Sequence, residues 1–190
     1  IERRVNSLGL DVVESLARRE DGQVIAIDSS GIKLYNSGEW VREKHKERKP
    51  FLKLHVAVNT RTKQAVAVRI TSDDVGDSKV ALELVEEARK AGRVSKALMD
   101  GAYDTRKIWN SLNAKGVKPI IKLGKNATPK GLSPRAKAVR ELKRTGEKEW
   151  AKTNGYGQRW QAETRYSSFK RRFGEHATPQ NQKTLSEKSC

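Results

Sequence analysis

The chain has 190 residues, enough for one domain that buries its own core without disulfides or a structural metal. Its 40 Lys and Arg against 23 Asp and Glu leave a net charge of +17, placed unevenly: residues 1–100 hold 19 basic and 16 acidic side chains (+3), residues 101–190 hold 21 and 7 (+14). Solubility alone does not need such an excess, which points to a polyanionic partner, while a lone cysteine (Cys190) and the lack of any apolar run near the roughly 20 residues that span a bilayer exclude a disulfide scaffold and a membrane role.

In chain order, residues 1–20 carry Val5, Leu8, Val12 and Leu16 at helical spacing and predict an amphipathic N-terminal helix. A turn at Asp21-Gly22 precedes Gln23-Val-Ile-Ala-Ile-Asp28, an apolar run of strand length that ends on an acid and is followed by Ser29-Ser30-Gly31. Residues 29–50 are mixed and charged, and Trp40 stands there among Arg42, Lys44, Lys46, Arg48 and Lys49. This aromatic with dense positive charge is a candidate DNA-contacting loop, with a solvated loop around a buried Trp as the alternative. Phe51–Val58 and Lys63–Ile70, joined by Asn59-Thr-Arg-Thr62, predict an antiparallel hairpin.

Asp77 is placed to cap a helix whose apolar face is Val80, Leu84 and Ala88, ending near Gly92. Asp73 and Asp74 then read as loop acids. Ser95-Lys-Ala-Leu-Met-Asp100 repeats the pattern of a short apolar run ending in Asp, followed by Gly101. Asp104-Thr105 predicts another helix cap, with Ile108 and Leu112 on the apolar face, and Val117–Leu123 predicts a further strand. Residues 125–154 are basic and punctuated by Gly and Pro, with one helical piece near Ala136–Lys143, and read as a connecting or inserted segment of open function. A last helix is predicted from Gly157 to Phe173, followed by a polar, disordered tail over 175–190. The fold class is α/β, a mixed sheet flanked by helices, with one catalytic domain over residues 21–174.

Two strands that end in Asp, separated by a hairpin and a helix, suit neighbouring positions in one sheet, where their acids meet at one edge. On the last helix Tyr156, Arg159, Glu163 and Lys170 stand at relative positions 0, 3, 7 and 14, and at about 100° per residue they share a stripe roughly 60° wide. Ala162, Tyr166, Phe169 and Phe173 occupy the neighbouring arc and read as the face packed on the sheet. Alone, the stripe is equally well an exposed ion-pair ladder. Together, Asp28, Asp100 and Glu163 make three hard oxygen ligands without neighbouring His or Cys, a set that suits two Mg²⁺ or Mn²⁺ ions and phosphoryl transfer. His45, His55 and His176 are scattered without ligand spacing, and Arg165, Arg171 and Arg172 point to other faces of the helix.

The spacing Tyr156-x2-Arg159-x3-Glu163-x6-Lys170 resembles the Y-R-E-K signature of DDE-class insertion-sequence transposases of bacteria and archaea. Asp28 in Ala26-Ile-Asp-Ser-Ser-Gly31 resembles the family's first aspartate, and Asp100 in Met99-Asp-Gly-Ala-Tyr-Asp104 its second. The likeness runs from about residue 22 to Phe173. It implies an RNase H-like fold whose acids bind two metal ions, cut double-stranded DNA at element ends and join the freed 3′-hydroxyl to target DNA. It also implies DNA contacts by Tyr156, Arg159 and Lys170, a homo-oligomer on DNA, and a cytoplasmic, nucleoid-associated location. The open alternatives are a shortened copy that binds DNA without cutting it and an RNase H-fold nuclease that cuts without joining. No helix-turn-helix or zinc-finger signature accompanies these residues.

Overall fold

A computed structural model gives the fold over residues 22–34, 51–173 and 176–177. The expected N-terminal helix, the loop residues Trp40, Arg42, Lys44 and Lys49, His45, Cys190 and most of the polar tail lie outside these described residues. Strands β1 (Gln23–Leu34), β2 (Phe51–Asn59) and β3 (Ala65–Ser72) are followed by helix α1 (Asp77–Lys90), β4 (Val94–Met99), α2 (Arg106–Ala114) and β5 (Lys118–Ile121). Then come α3 (Pro134–Thr145), α4 (Glu147–Asn154), α5 (Trp160–Phe173) and a two-residue strand, β6 (His176–Ala177).

The main sheet has the order β3-β2-β1-β4-β5. Strand β2 is antiparallel to β1 and β3, whereas β4 runs parallel to β1 and β5 parallel to β4. This is the mixed, helix-flanked α/β sheet that the sequence implied. Alternation along the strands sorts the core into two layers. Ile25, Ile27, Ala97, Met99 and Ile121 face α1 and α2, meeting Leu84, Val85, Ile108 and Leu112, with Val139 of α3 in the same cluster. Ala26, Val56, Val58, Leu98 and Ile120 face the other way and meet Trp150 of α4 and Ala162 and Tyr166 of α5.

Several elements differ from the sequence expectation for local reasons. Strand β1 does not stop at Asp28; it runs on to Leu34, because Ser29 to Lys33 remain paired with Phe51 to His55 of β2. The hairpin turn extends through Gln64, with Lys63 in a left-handed conformation at φ 60°. Asp77 does not cap α1. Gly76 holds the cap position without a side-chain bond, and Asp77, the first helical residue, pairs with Lys53 Nζ at 3.3 Å. Nor does Asp104 cap α2, since Thr105 does so by accepting from Ile108 N at 3.3 Å.

Residues 125–154 are not a bare connection. They form two helices, α3 capped by Ser133 and α4 closed by Gly155 in the left-handed region at φ 69°, and they bury Ala136 and place Val139 and Trp150 in the two core layers. Two residues of the expected tail, His176 and Ala177, pair in parallel with Lys33 and Leu34. His55 is fully buried on β2, its Nε2 2.9 Å from Thr71 Oγ1, and burial pushes its pKa down.

Candidate active site

Parity along two parallel strands brings the aspartates together. Ala26 pairs with Leu98 at the last parallel step between β1 and β4, and both belong to the layer under α5. The next side chains on that face, two residues on, are Asp28 and Asp100. Beyond this step β1 continues against β2 alone, while the chain after Met99 turns into a short 3₁₀ segment, Gly101–Tyr103. Asp100 caps that segment, its Oδ1 accepting from Ala102 N at 2.8 Å. The first acid is therefore mid-strand and the second just past a strand end, yet both sit where β4 gives out.

Asp28 is held from three sides. Its Oδ1 accepts from Ser29 N at 3.0 Å. The Tyr166 hydroxyl contacts its backbone carbonyl oxygen and lies 3.1 Å from the Leu54 carbonyl, pinning α5 to β1 and β2 at this residue. Its Oδ2 faces Arg159 Nη1 at 3.2 Å. Burial raises the Asp28 pKa; the Ser29 bond and Arg159 pull it back, and the negative charges of Asp100 and Glu163 push it up again. Asp28 thus feels the charge of both other carboxylates.

Arg159 also donates through Nη2 to Glu163 Oε1, so one guanidinium bridges Asp28 and Glu163. Burial works against its charge, but Tyr156, Asp28, Glu163 and Asp100 outweigh that and raise its pKa. Among the described residues, no three His, Cys, Asp or Glu side chains stand close enough to share one metal ion. The cation between Asp28 and Glu163 is Arg159 itself. Two carboxylates surround that positive charge, and oxygen donors without His or Cys are the ligand type a hard divalent cation takes.

The four signature residues do not all lie on one α-helix. Tyr156 and Arg159 belong to a 3₁₀ turn, Tyr156–Arg159, launched by Gly155, and only Glu163 and Lys170 lie on α5. The tighter turn swings Arg159 toward the sheet while Glu163 stays half-exposed. Tyr156 is half-buried against Trp150, ring centroids 5.8 Å apart, and burial raises its pKa despite Arg159 beside it. Lys170 stands seven residues beyond Glu163, about 10 Å along the helix.

Sequence reasoning placed Tyr166 on the packed face, where it is, but missed its hydroxyl. A Tyr where Phe would fill the same space is the readable signal of a buried polar partner. It also missed Asp104, whose carboxylate takes a two-pronged contact from Arg135 (Nε and Nη2, 2.7 Å each) and a bond from Trp109 Nε1 at 2.8 Å. Burial raises the Asp104 pKa, but the Arg135 and Trp109 bonds outweigh it and hold the carboxyl below its ordinary value. Tyr103 is fully buried, and burial first, then the charges of Asp77, Asp28 and Asp100, raise its pKa.

The family model described as "Transposase DDE domain" matches residues 19–182. The chain is also similar, at 16% identity and a TM-score of 0.38, to a chain in the "CryoEM structure of simian T-cell lymphotropic virus intasome in complex with PP2A regulatory subunit B56 gamma". That match covers 75% of this chain and 49% of the other, so this chain spans about half the length of the one it resembles. Among the described residues no helix is long and apolar enough to cross a membrane.

Proposed function

Because the chain belongs to the transposase DDE domain family, we propose that Asp28, Asp100 and Glu163 form the metal-holding acids of a DNA-cutting and strand-joining site. The observation that carries this reading is the bridge that Arg159 makes between Asp28 and Glu163, with Asp100 near enough for its charge to act on Asp28. Two divalent ions bound there would supply Lewis-acid activation of an attacking oxygen and stabilise the leaving one.

The chain's own residues then do three things. Asp28, whose backbone meets Tyr166 and whose Oδ1 accepts from Ser29 N, and Asp100, whose Oδ1 accepts from Ala102 N, present carboxylates oriented by backbone amides. Arg159 is a planar fork equally suited to a carboxylate pair or to phosphate oxygens, so an incoming DNA phosphate can take it over from Asp28 and Glu163. Lys170, further along α5, and the phenol of Tyr156 beside Arg159 extend the same contact along a cut end. Arg42, Lys44 and Lys49 complete the proposed contacts by charge. Double-stranded DNA at element ends and at the target is the proposed substrate, and the proposed working form is a homo-oligomer that holds two ends.

The test is nicking and strand transfer on duplexes taken from the inverted repeats flanking the reading frame, with Mg²⁺ or Mn²⁺. Alanine at Asp28, Asp100 or Glu163 is expected to abolish both reactions and to spare salt-sensitive DNA binding. Nicking at full rate by any of the three variants overturns the assignment. Nicking without joining of pre-cleaved ends assigns the site to a nuclease instead.

A further inference from the structure

Leu132 is the most exposed large hydrophobic residue among the described ones, with 85% of its surface in solvent. It sits in the segment between β5 and α3, on a backbone that is braced on both sides. Arg140 Nη1 donates to the carbonyls of Pro129 and Gly131 at 2.8 Å each, and Gly131 makes the turn at φ +87°. Immediately after Leu132, Ser133 caps α3, and Arg135 grips Asp104 with two bonds of 2.7 Å. A leucine just ahead of a helix cap ordinarily folds back onto the first helical turns. Here it is held outward.

The surroundings are cationic. From residue 122 to residue 140 the chain has Lys122, Lys125, Lys130, Arg135, Lys137 and Arg140 and not one Asp or Glu. Lys122, Lys125, Lys130 and Lys137 are exposed. The segment starts beside Asp100, and its far end is tied back to the stretch that follows Asp100. Lys122 N donates to Met99 O at 3.2 Å, next to Asp100, and Asp104, which anchors Arg135, is four residues past Asp100.

We infer that this braced segment is a DNA-contacting wedge, seating Leu132 against the sugars or a base step of the minor groove beside the cut site while the lysines pair flanking phosphates. The inference rests on the DNA reading of the site given above. One aliphatic tip ringed by cations is too small and too charged for the core of a stable protein interface, which needs a depleted-charge apolar centre. It matches the way apolar side chains enter the minor groove, where a single wedge suffices and the surrounding charge is neutralised by phosphate.

The experiment uses the full chain in metal-free buffer with a fluorescein-labelled duplex and with duplexes carrying 2-aminopurine at successive positions. Leu132→Ala is expected to weaken binding roughly tenfold, the scale of a mostly buried aliphatic side chain, and to leave the salt slope unchanged. It is also expected to remove a 2-aminopurine signal seen with the unaltered protein. Lys130→Ala is expected to lower the salt slope by about one. Because Leu132 packs on nothing that folding needs, its variant keeps the native melting temperature. Unchanged affinity and fluorescence in Leu132→Ala overturn the wedge while leaving DNA binding by the site intact. A change in self-association without DNA, read by sedimentation, overturns it in favour of a protein contact. Failure of the unaltered protein to bind any duplex overturns the DNA reading and the wedge together.

Discussion

Arg159 Nη1 stands 3.2 Å from Asp28 Oδ2 across 131 residues of chain, and the same guanidinium reaches Glu163. An internal cation therefore competes with any metal ion for two of the three carboxylates. Replacing it by Gln is expected to tighten Mn²⁺ binding to the DNA-free protein on the order of tenfold, about 1.4 kcal/mol, while weakening DNA binding. Titration calorimetry or the Mn²⁺ electron paramagnetic resonance signal reads the first effect. Weaker Mn²⁺ binding in Arg159→Gln would show that Arg159 organises the acids and does not compete for them.

Asp28 gives a pH dependence of definite sign. Its pKa is raised above the ordinary 3.8, first by burial and then by Asp100 and Glu163 against the pull of Ser29 and Arg159. A carboxyl with a raised folded pKa favours the fold when protonated and opposes it as pH rises through the folded value. Ionised Asp28 thus costs stability at neutral pH. Asp28→Asn is expected to raise the melting temperature of the metal-free protein by about 2–4 °C per kcal/mol relieved, while removing divalent-ion binding. In the unaltered protein, Mn²⁺ affinity is expected to fall on acidification, starting at a higher pH than an aspartate of ordinary pKa would set. A lower melting temperature for Asp28→Asn would mean that the Arg159 pair outweighs the burial cost.

How far this site could be read from sequence depended on which atoms did the work. Both aspartates were legible because Val24-Ile-Ala-Ile-Asp28 and Ala97-Leu-Met-Asp100 are apolar runs of strand length that end in an acid, whereas the sorting of those runs into two core layers needed the fold. The continuation of β1 to Leu34 was not legible: Ser29-Ser30-Gly31 has the composition of a turn and is held extended by pairing with β2. Nor was the 3₁₀ geometry of Tyr156–Arg159, which depends on Gly155 and on Tyr156 packing against Trp150. The wrong capping residue at two helices has one cause. Asp77 and Asp104 each had a stronger partner elsewhere in the fold, Lys53 and Arg135.

The Tyr166 hydroxyl reaches from α5 to the sheet at Asp28. Tyr166→Phe keeps the ring in its layer and removes only that contact. A loss of about 1 kcal/mol is expected, or roughly 2–4 °C in melting temperature. If the hydroxyl also sets the spacing of Asp28 from Glu163, Mn²⁺ affinity and the nicking rate fall together by more than this stability loss explains. A normal Mn²⁺ titration with a lowered melting temperature would limit Tyr166 to a structural part.

Arg135 and Asp104 tie α3 to the segment that follows Asp100, through two parallel bonds to a carboxylate that is only 9% exposed. Truncating Arg135 to Ala leaves that carboxylate with the Trp109 indole and the Gly124 backbone amide but no cation, and a desolvated charge short of its partner is the expensive case. The expected loss is about 2 kcal/mol, or roughly 4–8 °C in melting temperature. Its sign with pH is opposite to that of Asp28. The Asp104 pKa is depressed, so the pair stabilises the fold above 3.8 and loses that contribution as pH falls through the lower folded value. The melting-temperature gap between the unaltered chain and Arg135→Ala should therefore close in acid. Arg135→Lys, which keeps the charge but not the planar fork, is expected to recover only part of it. A gap that stays constant from neutral pH into acid would place the loss in packing of α3 and not in the ion pair.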